Sequence, residues 1–251
     1  MDALLASPSP TLAGVLLTTA SLSIVLAAEY AARHEPPGSS GKPRILNAIF
    51  KPLASAGFLL AALAHPLAFA SPAAVAIVVA LVLGALGDVL LIPGRRGPLG
   101  PAFRLGVLSF LASHLGYAAA FLLAGVSLPQ LALAALPLGL LAFLFWRYLA
   151  RHVPDHLRGA VAAYIAVISL MVATAVGAAY GPLAPHAPLL APVAAVIFYA
   201  SDLTVARQRF VVARMWHRFV GLPLYFSGLT APVGPFVEDR VFGWCGSVIT
   251  P

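Results

Sequence analysis

The sequence predicts an all-α integral membrane protein of eight transmembrane helices, with both termini outside. Three observations predict this. Of the 251 residues, 61% are hydrophobic and only 9% are charged, whereas soluble domains carry roughly 25% charged residues. Three long blocks lack Asp, Glu, Lys and Arg, and each has a turn signal near its middle. The basic residues fall in every second connection between the apolar segments.

The segments follow in order. Residues 11–28 form an uncharged run long enough for a first span, about 11–30. No basic region precedes it, so it reads as a retained helix and not as a cleaved signal. Glu29 and Arg33 close this span, and the turn-rich stretch HEPPGSSGKPR (34–44) forms a hydrophilic loop. The blocks 52–87, 105–146 and 159–201 hold 36, 42 and 43 residues, about twice the roughly 20 that one span needs. Their central breakers are HPLAFASP (65–72), GVSLP (125–129) and GPLAPHAP (181–188). Each block is therefore a helical hairpin, giving spans at about 46–65, 73–93, 104–124, 129–147, 159–180 and 189–208. A last uncharged run, 219–237, contains Pro223, Pro232 and Pro235 and supplies an eighth span at about 217–236. The chain is one membrane domain, 1–251, ending in a short tail at 237–251.

The odd-numbered connections carry 14 of the 15 Lys and Arg, and the even-numbered ones carry none. By the positive-inside rule the odd connections lie in the cytoplasm. The net charge of +7 thus reads as topology and contact with anionic headgroups, with no call for nucleic acid. A single cysteine, Cys245, excludes an intramolecular disulfide framework and a Cys-rich zinc site.

Asp88, in LVLGALGDVLL (81–91), is a lone carboxylate in an apolar run, where a charge is expensive and functional by default. Gly84 and Ala80 lie one and two turns earlier, leaving its helix face nearly bare for close helix approach. Asp202 repeats the situation in FYASD (198–202). Lys51, with Asn47 and Ser55 one turn to either side, Tyr164 and Glu29 sit at comparable depth on other spans, and His114 lies deeper. Phe110 and Tyr117 flank His114 on one face. This convergence predicts a polar cavity opening on the cytoplasmic half of the membrane. Blander readings exist: Lys51 and Glu29 can snorkel, the aspartates can form structural pairs with Lys51 or an arginine, and the tyrosines can simply pack. His152 and His156 are spaced i,i+4, but Pro154 between them argues for a loop and against a metal site.

Two carboxylates in one low-dielectric site can divide acid and base roles between them. Such a pair suits hydrolysis that begins with protonation, as in glycosidases; a vinyl ether protonated at its β-carbon gives the same kind of cation. The ordered set Lys51-Pro52-Leu53, Gly87-Asp88, FLASHLGY (110–117), YIAVISLM (164–171), Ser201-Asp202 and GLPLYF (221–226) resembles the lysoplasmalogenase family, the bacterial YhhN-like proteins and their animal transmembrane relatives. The resemblance runs from about residue 50 to 230. It implies hydrolysis of the vinyl ether bond of lysoplasmenyl phospholipids to a fatty aldehyde and a glycerophospho-alcohol, and the bacterial cytoplasmic membrane is the expected location. No cofactor or metal is expected, because only one histidine lies deep in a span. Carried over by position, Asp88 and Asp202 are catalytic, and Lys51, His114, Tyr117, Tyr164, Ser201 and Tyr225 bind a lysophospholipid. The chain departs from the pattern at Gly228, where the family usually has glutamine. Two other readings compete. An intramembrane aspartyl protease would need GxGD and a PAL tripeptide, where this chain has LGALGD and no PAL. A proton-coupled transporter or lipid flippase could use the carboxylates as proton carriers.

Overall fold

The computed structural model describes residues 9–34, 42–66, 68–92, 100–182 and 189–211, together with 222, 223 and 225. These residues are built as helices: α1 (Pro10–His34), α2 (Lys42–Leu63), α3 (Pro72–Leu90), α4 (Pro101–Leu123), α5 (Leu128–Leu149), α6 (Asp155–Ala179) and α7 (Leu190–Phe210). All seven are long and apolar enough to cross a membrane. The anticipated eighth span, 217–236, lies almost wholly outside the described residues. Leu222, Pro223 and Tyr225 are helical within it.

Proline starts several of these helices, since the first helical turn has no use for the missing N–H. α3 begins at Pro72 behind Ser71, whose Oγ accepts the Ala74 N–H at 3.1 Å. α4 begins at Pro101, and α5 has Pro129 in its first turn. Two helix starts differ from the sequence reading. α2 begins at Lys42, inside the expected loop, and α6 begins at Asp155, inside the HVPDH stretch. In both places a proline, Pro43 or Pro154, stands at the helix start and permits the earlier entry. His156 is therefore helical, whereas His152 lies in the preceding turn.

The expected hairpins α2–α3, α4–α5 and α6–α7 are not the tightest pairs: α1–α2, α3–α4 and α5–α6 pack closest, and α4–α6, α2–α3 and α6–α7 join them. Close approach follows the small residues on facing helices and not the shortness of the turn. Small residues set the approach. A Cβ on Gly14 would lie 2.5 Å from the Gly57 carbonyl oxygen, and Thr18 Oγ1 donates to the Ala54 carbonyl at 3.1 Å. Between α3 and α4, Ser113 Oγ donates to the Ala80 carbonyl and Ser109 Oγ to that of Leu83, at 2.7 and 2.6 Å. The α4–α5 turn needs Gly125 at φ +85°, a left-handed conformation that costs glycine little. It is tied to α6 by the Ser127 N–H on the Gly177 carbonyl, 2.9 Å. α5 is the peripheral helix: among its side chains Leu149 is the buried one, while Leu133, Leu136 and Leu140 face outward as lipid contact requires.

The main apolar cluster includes Phe58, Leu81, Phe110, Phe121, Ile168, Met171, Phe198 and Tyr225, drawn from α2, α3, α4, α6 and α7 and from the segment beyond α7. The polar residues singled out from the sequence lie against this cluster.

Candidate active site

Asp88 and Asp202 each anchor a separate knot of polar side chains, and aromatic rings join the two. Asp88 is 2% exposed, and Lys51 Nζ stands 3.0 Å from its Oδ1. Ser55 Oγ and Tyr225 Oη both donate to Oδ2, each at 2.8 Å. One ammonium and two hydroxyls thus surround a carboxylate that has almost no water, the condition under which a buried charge is tolerated. Sequence explains the supply of donors: Lys51 and Ser55 are one turn apart on α2, so both reach the same point on α3.

Gly87 brings α4 against this knot. A Cβ there would lie 2.7 Å from the Phe110 ring, so the ring can approach α3 this closely only above a glycine. Gly84 is less constrained. A Cβ there would meet Ser113 Oγ at 3.4 Å and Tyr225 Oη at 3.7 Å, ordinary contact distances.

Asp202, at 10% exposure, is the more open carboxylate. Tyr164 Oη donates to its Oδ2 at 3.0 Å, and His114 Nε2 lies 2.9 Å from the same oxygen. The ring N–H axis of His114 is turned off the line to Oδ2, so the contact is an ion-pair approach more than a well-aligned hydrogen bond. On its other side, His114 Nδ1 meets the Phe110 carbonyl at 2.5 Å.

Phe198, one turn before Asp202 on α7, bridges the knots. Its ring centroid is 4.8 Å from that of His114 and 5.2 Å from that of Tyr225, and Phe110 stands 6.0 Å from Tyr225. The two carboxylates therefore share one aromatic wall.

The structure brings Lys51, Asp88 and Tyr225 together, and His114, Tyr164 and Asp202 together. Tyr117 packs edge-on to Phe198 at 6.2 Å with its buried hydroxyl unpartnered among the described residues. Ser201 is buried beside Asp202. Glu29 accepts Asn47 Nδ2 at 3.0 Å, a buried link between α1 and α2. Gly228 lies outside the described residues. Sequence reasoning left two contributors out of the site. Ser55 was visible as the helical neighbour of Lys51, and Phe198 as the residue one turn before Asp202; neither is titratable, so neither stands out in an apolar helix.

Residues 46–231 match the YhhN family. The chain is 30% identical over 209 residues to lysoplasmalogenase TMEM86A of Bos taurus, covering 80% of this chain and 82% of that protein. No solved structure matches it. Both carboxylate knots fall inside the matched segment, and the chain belongs to the YhhN family of integral membrane proteins.

Proposed function

We propose that the protein is a lysoplasmalogenase-like hydrolase of single-chain vinyl ether phospholipids, with Asp88 and Asp202 as its acid–base pair. The observation that carries this reading is the pairing of two carboxylates across one aromatic wall, in a chain similar to a lysoplasmalogenase. Such a site can protonate the β-carbon of a vinyl ether with one carboxyl group. The resulting oxocarbenium-like cation is stabilised by a nearby carboxylate, and water adds to the α-carbon. The hemiacetal collapses to a fatty aldehyde and a glycerophospho-alcohol. Aromatic walls keep bulk water from the cation, so only water activated by a carboxylate attacks.

Lys51 supports this assignment in two ways. Its ammonium lets Asp88 remain charged within an apolar cluster, and at 22% exposure it also presents donors toward a lipid phosphate. With the basic connections in the cytoplasm, the pocket opens on the inner leaflet and takes its lipid from there.

The deciding experiment is aldehyde release from lysoplasmenyl-ethanolamine by purified protein, beside Asp88→Asn and Asp202→Asn. Release by wild type and by neither variant is the expected result. Folded wild-type protein that releases no aldehyde, yet takes up protons with a lipid-like solute in proteoliposomes, would replace the hydrolase by a transporter.

A further inference from the structure

We propose that Asp202 and His114 hold one proton between them, and that this couple, and not Asp88, protonates the substrate. The inference rests on the hydrolase reading above and assigns the two carboxylates their separate roles.

The tautomer comes first. The Phe110 carbonyl facing His114 Nδ1 can only accept, so Nδ1 carries a hydrogen. Nε2 and Asp202 Oδ2 then lie 2.9 Å apart, a distance at which an unprotonated ring nitrogen and a carboxylate oxygen, both partly negative, repel even off the ring axis. A proton therefore belongs to the pair, on the imidazole or on the carboxyl. Tyr164 Oη meets the same oxygen as a donor. The other groups near His114 are the rings of Phe198 and Tyr164, which bring no further charge.

Charge balance leads to the same count. Asp88 is matched by Lys51 at 3.0 Å; a proton on Asp88 would leave that ammonium unmatched. At the second knot one proton makes Asp202 and His114 neutral together. None would leave a net negative charge and two a net positive one, each costly in an apolar interior. The resting site thus has one transferable proton, held by the Asp202–His114 couple and delivered as the O–H of Asp202.

Access selects the donor atom. His114 is fully buried, whereas the Asp202 side chain keeps an exposed edge. Among the described residues nothing donates to its Oδ1. The proton therefore leaves through Asp202, and His114 is a positioning residue that holds the proton and orients the carboxyl.

The O–H bond of Asp202 breaks and a C–H bond forms at the vinyl ether β-carbon, using the π electron pair. Positive charge then appears on the α-carbon and ether oxygen as negative charge appears on Asp202, so the site stays neutral overall. Water adds to the α-carbon and passes a proton to Asp88. Collapse of the hemiacetal breaks the bond from the α-carbon to the glycerol oxygen. That oxygen takes the proton from Asp88, and the hemiacetal hydroxyl returns one to Asp202.

Two measurements on the full chain in detergent test this. The first is ¹⁵N NMR of protein labelled at histidine, with His114 assigned by the signals lost in His114→Gln. Asp202→Asn is expected to move the His114 Nε2 resonance to that of a bare acceptor. Asp202→Glu and Asp88→Asn are expected to leave it near its wild-type position. An Nε2 resonance unmoved by Asp202→Asn overturns the shared proton, whether or not aldehyde is made. The second is kinetic. His114→Gln is expected to lower kcat by about 10- to 100-fold, leave KM within about twofold, and raise the solvent deuterium isotope effect on kcat. A wild-type kcat, or a loss confined to KM, overturns the proton-delivery role. Wild-type protein that makes no aldehyde would instead defeat the hydrolase reading, and the NMR result would still decide who holds the proton.

Discussion

Neutralising Asp88 separates its structural work from its chemistry, and the geometry sets the size of the effect. In Asp88→Asn the side-chain oxygen can stay on Lys51 while the amide nitrogen turns to Ser55 and Tyr225, whose hydroxyls rotate to accept. The loss is then the charge opposite Lys51. Removing one partner of a buried ion pair costs about 3–5 kcal/mol. Lys51 is 22% exposed and can carry its ammonium toward the interface, so the expected cost is at or below the low end, about 2–3 kcal/mol. Lys51→Met strands Asp88, which at 2% exposure has no such escape, and about 4 kcal/mol is expected. The double variant removes both charges and recovers much of this, with a coupling energy of about 2–3 kcal/mol. Reversible unfolding of the four proteins in one detergent measures the cycle, and aldehyde release is followed in parallel. Asp88→Asn and the double variant should both be inactive, although the double variant regains stability. A coupling energy below about 0.5 kcal/mol, or Asp88→Asn costing more than Lys51→Met, would refute the pairing argument. Activity in Asp88→Asn would remove that carboxylate from the reaction.

Other outcomes follow from particular contacts. Asp202→Asn is expected to abolish hydrolysis with a smaller stability change than Asp88→Asn, because Asp202 faces no full-time cation; a loss of folded protein in step with activity would argue for a structural role. Gly87→Ala drives a methyl into the Phe110 ring and should cost about 1–3 kcal/mol. Gly139→Ala, with open space around it, should be neutral or slightly stabilising; equal thermal shifts for the two would contradict the packing. In D₂O the aldehyde product should carry one deuterium at the carbon next to the carbonyl, read by mass spectrometry, and an unlabelled product would exclude protonation at carbon. Treatment with a chelator should leave aldehyde release unchanged; a loss restored by zinc would bring a metal into the site.

Much of this protein was legible before any coordinates. The uncharged blocks and their breakers mark out the spans and the turns between them, because lipid permits only apolar helices of a set length and turns must return to water. Which spans pack tightest, α1–α2, α3–α4 and α5–α6, they did not indicate. Helix starts were placed less well, at Lys42 and Asp155, because flanking polar turns can be helical without changing what lies in the membrane. Asp88, Asp202, Lys51 and His114 were legible as residues, since a titratable group in an apolar run stands out by its cost. Their partners were not. Sequence allowed Lys51 to serve either carboxylate, and only the packing of α2 on α3 gives it to Asp88. Ser55 and Phe198 join the site through distance alone, having no charge to announce them. The tautomer of His114 depends on the Phe110 carbonyl and on an oxygen of Asp202, which lies 88 positions after His114 in the chain. Composition and periodicity determine what must be buried, because each helix answers to lipid alone. Which buried groups meet depends on how small residues such as Gly87 and Gly57 let the helices approach, and that is a property of the assembled bundle.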